Sequence, residues 1–498
     1  MDGSRRPFPP GSYPVVVVGS GPGALQMSYS LRRHGIDHAV ISADSAPGGM
    51  FRKWPVFQRL LSWTKPHAPD GPGSRRYLRF DWNSLLADEA QLSSLQAKHM
   101  DGTSHFPSRA EMEANLAGFA EVADIAIRYD CEWQSTARID DGGPDRFALT
   151  TSDGEYRCRV AVFAVGVAEP WSPRIPGIEH AHHYAEVGPA EDYAGRRVFI
   201  IGKRNSAFEL ASGLMQWASA ITLASPSPAK LSVVTKSLAG VRARYVQPFE
   251  DNVIGGGCAI VSAAIDGIAR TEGEFKVTLR AADGSTWRVA ADDVINATGF
   301  VAPLRDLPDI GVNVFGQSRL PALSHWWESA GVAGIYFAGT ITQAAPSLGK
   351  YGVPHNSGAV HGFRFNAVLL ARHIAEKEFG KASASIPIGS DELVKVLLAD
   401  IGESPELWHQ HGFLSRSFAL RDGKMHDIGY SPLTAFLDDE KQDGLSLALE
   451  RDGSGDIFPV IYTRIGGATR EEQLERLTPD GVASHGHEQT LAGVLRDF

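Results

Sequence analysis

The chain has 498 residues, 43% hydrophobic and 21% charged, which is ordinary for a globular enzyme and gives room for about two to four domains. A formal net charge of −10 disfavours a general nucleic-acid binder, whose domains are basic. The 3 cysteines, Cys131, Cys158 and Cys258, form no C-x-x-C pair, so neither a dithiol redox centre nor a zinc knuckle is predicted.

The N-terminal stretch MDGSRRPFPPGSYP has no apolar h-region, so no secretory signal is expected. The apolar runs are strand-length and predict no membrane-spanning helix. With three reduced thiols, these features predict a cytoplasmic protein. Val15 to Val18 read as a buried parallel strand. Gly19-Ser20-Gly21-Pro22-Gly23-Ala24 make the following turn, and Ala24, Met27 and Leu31 mark one face of the helix beyond it. Arg32-Arg33 and Gly35 stop that helix, and Ala39 to Ile41 form a second strand. Gly19 permits the sharp turn, Gly21 lets the backbone approach a pyrophosphate, and Ala24 allows close helix–strand packing. The helix N-terminus supplies N–H groups to the phosphates. The acid expected on a ribose is irregular. Ser42 stands at its place and Asp44 lies two residues on; either reaches a hydroxyl, and Asp44 reads equally well as a solvated turn residue.

Another apolar strand is predicted at Val160 to Gly166. His180-Ala181-His182-His183 follows, but no cysteine or carboxylate cluster flanks it and no metal site is expected. From Val198 the order strand, glycine turn, helix, strand repeats, closing at Ile221 to Ala224. Here Gly202-Lys203-Arg204 puts a cation where a second glycine is usual. Arginine pairs with pyrophosphate through two N–H groups, so charge would offset the lost backbone approach. Further strands are predicted at Val294 to Phe300 and Gly334 to Thr342, which reads as one nucleotide domain interrupted by another. The expected segments are 12–190 and 292–380 for the first domain and 191–291 for the inserted one. Beyond residue 381, alternation and D-G and G-G turns predict a small mixed or β-rich appendage over 381–498.

As a set, several motifs resemble those of two-dinucleotide flavoproteins, which include flavin-containing, N-hydroxylating and Baeyer–Villiger monooxygenases and thioredoxin reductases. They are Gly19 to Ala24, Pro47-Gly48-Gly49, Ala164-Val165-Gly166, Pro173 to Gly177, Asn296 to Phe300 and Phe337-Ala338-Gly339. DWNSLL (Asp81 to Leu86), FAGTIT (Phe337 to Thr342), VHGFRF (Val360 to Phe365) and FPVIYTR (Phe458 to Arg464) look more closely like the endoplasmic-reticulum FAD flavoprotein linked to ER-associated degradation and its bacterial relatives. That relative is lumenal; with no signal peptide or retention tail read here, its location is not carried over.

The resemblance implies an α/β chain. It has an FAD-binding Rossmann-like domain, an inserted NAD(P)-binding Rossmann-like domain and a small C-terminal appendage. It places Gly19, Gly21, Gly23, Ala24, Gly49, Met50, Gly166, Gly299, Gly339 and Thr340 among the cofactor contacts, with Ser42 or Asp44 at the ribose. Thr64, Lys65 and Asn83 are implied near the isoalloxazine, with Asn83 and Lys65 as catalytic candidates. For Asn83 an ordinary helix N-cap is the reading placed ahead of the catalytic one. Ser357-Gly358 would open a helix aimed at the flavin pyrimidine, stabilising negative charge there. Arg364 on that helix is read as a structural cap ahead of a substrate contact. The second site is implied to use Gly202, Lys203, Arg204, Asn205, Ser206 and Ala207. The strand end Ala224 to Ser227 lacks the usual arginine for a 2′-phosphate, leaving Lys203, Arg204 and Lys230. NADPH is thus expected only slightly ahead of NADH, and a decayed site stays open. Gly177, His183 and Tyr184 match only part of the linker signature of flavin monooxygenases. The implied activity is an FAD-dependent, NAD(P)H-using monooxygenase that forms a flavin hydroperoxide and oxygenates a small amine, thiol or ketone. A flavin reductase without oxygen insertion and a non-catalytic redox-sensing flavoprotein are the alternatives. Expected partners are a small-molecule substrate and molecular oxygen, with no nucleic acid and no membrane; a homodimer is left open.

Overall fold

The computed structural model describes residues 6–57, 59–235, 240–252, 257–346, 350, 352–383, 385–478 and 481–497. The first five residues of the N-terminal stretch lie outside them. The chain divides into two compact units: 1–52, 62–167 and 302–498 form the first, and 53–61 with 168–301 the second.

The first unit is built on a six-stranded sheet. Gly11–Val18 pairs in parallel with His38–Ile41 on one side and Gly154–Phe163 on the other. The N-terminal half of Gly154–Phe163 pairs antiparallel with Phe147–Thr151, and its C-terminal half pairs in parallel with Ile335–Phe337. The register aligns Val18 with Ile41 and Phe163, and Phe163 with Phe337. Four strands therefore end at one level, and the turns after them emerge together at the carboxyl edge, where α/β sheets bind ligands. Val15, Val16 and Val17 are fully buried, as the run of four valines predicts for a strand covered on both faces.

The second unit repeats the plan. Five parallel strands run in the order Cys258–Ser262, Ala220–Ser225, Arg197–Ile201, Asp293–Asn296, His182–His183. A three-stranded antiparallel ribbon, Ala264–Thr271, Glu274–Arg280 and Thr286–Ala291, accompanies them. One expectation is corrected here. The inserted unit is wider than the expected 191–291: it takes in 168–301, with His182–His183 and Asp293–Asn296 as strands of its sheet, the latter paired with Arg197–Ile201. The distant segment Lys53–Leu61 also belongs to this unit. Phe57 N donates to Glu209 Oε1 at 2.6 Å and Val56 N to the Tyr184 hydroxyl at 3.2 Å. A Cβ on Gly213 would lie 2.5 Å from the Phe57 ring, so the glycine makes room for it.

The C-terminal appendage, part of the first unit, is a six-stranded antiparallel sheet in the order Ile386–Ile388, Lys424–Pro432, Leu414–Arg421, Gly444–Arg451, Ile457–Ile465, Ala468–Gln473. Alternation sends Leu445, Leu447 and Leu449 to one face, against helices Ser390–Glu403 and His485–Val494. Ala448, Phe458, Val460 and Tyr462 pack on the other face with Leu433 and Phe436. Among the described residues no helix is long and apolar enough to cross a membrane.

Candidate functional site

In the first unit, Gly19 turns the chain with φ +132°, and a Cβ there would lie 2.6 Å from Ala164 O. Helix Pro22–Arg33 starts at once, with Gly21 as its N-cap. Gly23 packs on Gly339: a Cβ at Gly23 would lie 2.5 Å from Gly339 Cα. Gly48 N donates to Ser20 O at 2.9 Å, and a Cβ on Gly49 would meet Gly21 Cα at 2.8 Å. Three glycine corners, Gly19 to Gly23, Gly48-Gly49 and Gly339, thus close around one helix N-terminus. Ala24 is fully buried, and Thr340 follows in the 3-10 turn Gly339–Ala344. Gly166, at φ +68°, faces Met50, with Sδ 3.5 Å from its would-be Cβ.

Gly21 is the informative one. Its φ is −75°, which any residue adopts, and the nearest atom to a Cβ is Gly49 Cα at 3.7 Å. None of the described residues stands close enough to demand a glycine there. Open space beside N–H groups at a helix N-terminus fits a pyrophosphate that approaches the backbone. Beside the turn, Ser20 Oγ donates to Asp44 Oδ2 at 2.6 Å, and Asp44 N donates to Ser42 Oγ at 3.1 Å. Both ribose candidates therefore join the turn, with the Asp44 carboxylate bonded to it. These residues fit the adenine end of FAD.

Thr64, Asp81, Asn83 and Ser84 form a fully buried polar cluster in the same unit. Thr64 and Asp81 pair as an antiparallel bridge. Thr64 Oγ1 donates to Asp81 Oδ1 at 2.9 Å and accepts from Asn83 Nδ2 at 3.1 Å. Ser62 Oγ donates to Asn83 Oδ1 at 2.5 Å, and Ser84 Oγ donates to Asp81 Oδ2. Asn83 heads no helix, so the N-cap reading is corrected: Asp81 turns the backbone here by accepting from Asn83 N and Ser84 N. Lys65 is exposed and contributes no side-chain bond to the cluster. Arg364 is fully buried and donates to Ser84 O at 2.7 Å and Leu78 O at 3.0 Å, which spends it on backbone carbonyls. Burial pushes its guanidinium down to about 10. Helix Val360–Phe379 begins after Ser357-Gly358, with Ala359 as its N-cap.

In the second unit Gly202, at φ +130°, copies Gly19: a Cβ would lie 2.7 Å from Ala297 O. Arg204 takes the N-cap of helix Asn205–Leu214 in extended backbone (φ −114°, ψ −169°) and is exposed. Asn205 and Ser206 form the first turn and Ala207 packs inside. Lys203 is drawn away from a phosphate role: its Nζ is buried and donates to Ser262 Oγ at 2.8 Å. Burial lowers its pKa. Lys230 is exposed. Gly299, at φ +99°, accepts from Trp171 N at 3.1 Å. The neighbouring histidines are structural: His182 Nε2 meets the Tyr193 hydroxyl at 3.1 Å, and His183 Nδ1 accepts from Ala185 N. Among the described residues no His, Cys, Asp or Glu group is arranged to hold a metal ion.

Gln410 escaped the sequence reading. It lies in the appendage, yet its amide bonds Asn356, Ser357 and Asn366. No local pattern announces a pairing between residues so far apart in the chain.

Residues 16–339 match the family model of the pyridine nucleotide-disulphide oxidoreductases. The chain is 26% identical over 449 residues to mouse (Mus musculus) FAD-dependent oxidoreductase domain-containing protein 2, covering 82% of this chain and 64% of that protein. The chain thus spans less than two thirds of that relative's length. Its fold resembles the bacillithiol disulfide reductase of Bacillus cereus (TM-score 0.56, 20% identity, 74% of this chain and 100% of that one). It also resembles the flavin-containing monooxygenase of Stenotrophomonas maltophilia (TM-score 0.52, 20% identity, 73% and 98%). With a family match over well more than half its length and two glycine-turn Rossmann-like units, the chain belongs to the pyridine nucleotide-disulphide oxidoreductase family and is an oxidoreductase that uses FAD and NAD(P)H.

Proposed function

We propose that the chain is a cytoplasmic FAD-dependent NAD(P)H monooxygenase acting on a small amine, thiol or ketone. The observation that carries this reading is the sealed polar cluster at Asn83. Held at the Gly19–Gly23 turn, FAD would supply the redox chemistry between NAD(P)H and oxygen. The chain's part is to fix donors and exclude water. Ser62 holds the Asn83 carbonyl and Thr64 takes one amide proton. The second Nδ2 proton has no partner among the described residues, and Asp81 locks Thr64 and Ser84 so that the amide cannot turn. The reading takes this held amide to border the bound flavin, where it would offer a fixed hydrogen bond and help to exclude water.

The thiols favour oxygen insertion over dithiol exchange. Cys131 Sγ contacts Thr151 Oγ1, burial pushes the Cys158 thiol far up, and Cys258 lies on a strand of the second unit. Burial raises both Cys158 and Cys258, which disfavours their thiolates.

The test reduces the protein with NADPH anaerobically, then admits isotopically labelled oxygen with a panel of amines, thiols and ketones. Product carrying a labelled oxygen atom supports the reading. Stoichiometric peroxide with every substrate overturns it in favour of a reductase. Asn83→Ala is expected to raise the peroxide fraction severalfold while leaving anaerobic reduction by NADPH unchanged.

A further inference from the structure

We propose that the C-terminal sheet domain is part of the FAD site, and that its Gln410 is a positioning residue for the flavin nucleotide. The proposal rests on the assignment of FAD to the Gly19–Gly23 turn.

Gln410 ends the short helix Pro405–His409 and is fully buried. Its Nε2 donates to Asn366 Oδ1 at 2.7 Å and to Ser357 Oγ at 3.0 Å; its Oε1 accepts from Asn356 N at 3.0 Å. Every polar atom of the amide is used. Asn356 answers by donating from Nδ2 to His409 O at 2.7 Å. The appendage thus grips the Asn356-Ser357 turn at both main chain and side chain. The helix Val360–Phe379 also presses on this turn: a Cβ on Gly362 would lie 2.2 Å from Asn356 O. Asn366 of that helix donates to Ser357 Oγ at 2.8 Å.

The network continues toward the nucleotide turn. The single Thr342 hydroxyl proton is shared between Gly339 O at 2.8 Å and Ser357 O at 3.2 Å. Gly339 is the corner against which Gly23 packs. Gln410, Ser357, Asn366 and Thr342 are each at most 1% exposed. A dry, satisfied network of this kind has one geometry, because any partner left over is buried and unpaired. The seating of the Gly339 corner on Gly23, and hence the width of the phosphate cradle, is coupled to a residue outside the Rossmann-like units.

Full-length Gln410→Leu, Thr342→Val and Ser417→Ala are compared with the unaltered chain. FAD affinity is measured by fluorescence titration of deflavinated protein, alongside the visible absorption spectrum of the bound flavin. Thr342→Val cuts the network from the nucleotide side and carries the test if Gln410→Leu does not fold. Ser417 bonds Ser446 inside the appendage sheet at 2.8 Å, so Ser417→Ala weakens the appendage without touching the turn. The expected result is FAD binding weakened tenfold or more, with a shifted flavin band, in Gln410→Leu and Thr342→Val, and wild-type behaviour in Ser417→Ala. Unchanged affinity and spectrum in both network variants overturn the proposal, as does equal weakening in Ser417→Ala. If the unaltered chain takes up no FAD, the cofactor assignment itself falls, an outcome separate from either of these.

Discussion

Gly21→Ala and Gly23→Ala separate the two reasons a nucleotide turn keeps its glycines. At Gly23 an added Cβ meets Gly339 Cα at 2.5 Å, Gly339 N at 2.7 Å and Ala338 C at 3.2 Å, all backbone. Carbon atoms pack comfortably at about 3.5 Å or more, so the helix start must retreat by roughly 1 Å. Ala338 N is tied to Phe163 O at 3.1 Å, so the other side cannot give way easily. Overpacking costs about 1–3 kcal/mol, and two opposed backbones put this site at the upper end. Deflavinated Gly23→Ala should therefore melt several degrees lower. At Gly21 the φ of −75° suits alanine and the nearest neighbour is 3.7 Å away. Removing a glycine from the unfolded chain stabilises by about 0.4–1 kcal/mol, while alanine is a poorer N-cap than glycine by a similar amount, so deflavinated Gly21→Ala should melt close to the unaltered chain. Its methyl group nonetheless stands where the pyrophosphate approaches. FAD affinity should fall by about 2 kcal/mol, roughly thirtyfold. Calorimetry of deflavinated protein and FAD titration read the two effects separately. Wild-type FAD affinity in Gly21→Ala would refute the assignment of the phosphate to this turn; an unshifted melting point in Gly23→Ala would refute the steric account.

Three other expectations are open to direct measurement. Arg204 caps its helix without a side-chain bond and sits in unstrained extended backbone, so Arg204→Ala should leave folding intact. It should weaken NADPH binding about tenfold and flatten its salt dependence; unchanged affinity in a titration at two salt concentrations removes the clamp. Acid should destabilise the first unit through histidines that burial keeps neutral: His373 is pushed down to about 4 and His411 to about 3. Their unfolded pKa is about 6.5, so below it the unfolded chain binds more protons than the folded one. The stabilisation is complete above pH 6.5 and drains away as pH falls toward 4, on the order of 1–3 kcal/mol per group. His373 stacks on Trp326 at 4.5 Å, so His373→Phe should flatten the melting-point profile between pH 6.5 and 4.5; an unaltered slope counts against it. Phe57→Ala should empty the space beside Gly213 and, for this partly buried ring, cost about 1–3 kcal/mol, read as a lower melting point for the second unit; an unchanged melting point would mean that the ring is not anchored there.

The parts of the site that were legible are those in which local sequence has one physical solution. Four valines followed by Gly19-Ser20-Gly21 can only be a covered strand feeding a tight turn, and the registers bring Val18, Ile41 and Phe163 to a common edge as that reading requires. Gly202 shows the same geometry despite Lys203 and Arg204, because the turn needs only its first glycine to pass Ala297 O. Cations next in sequence proved opposite in fate. An extended N-cap sends alternate side chains apart, so Arg204 faces solvent while Lys203 turns in to Ser262. Sequence alone gives no sign of which way each points.

What stayed hidden is contact between segments with no shared period. Asn83 reads as a cap because asparagine is among the residues preferred at helix N-caps; the nearby Asp81 carboxylate captures the backbone N–H groups instead. Asp293–Asn296 looked like a return to the first domain because a buried parallel strand carries the same apolar code in either sheet. Gly213 and Gly362 had no visible purpose within their helices, and both prove to be landing sites, for Phe57 and for Asn356 O. A helical glycine costs about 1 kcal/mol against alanine, so each implies a partner that repays it. At Gly362 that partner is the turn gripped by Gln410. The glycine of VHGFRF and the glutamine of the appendage are thus two sides of one wedge, which couples the appendage to the packing of the nucleotide domain.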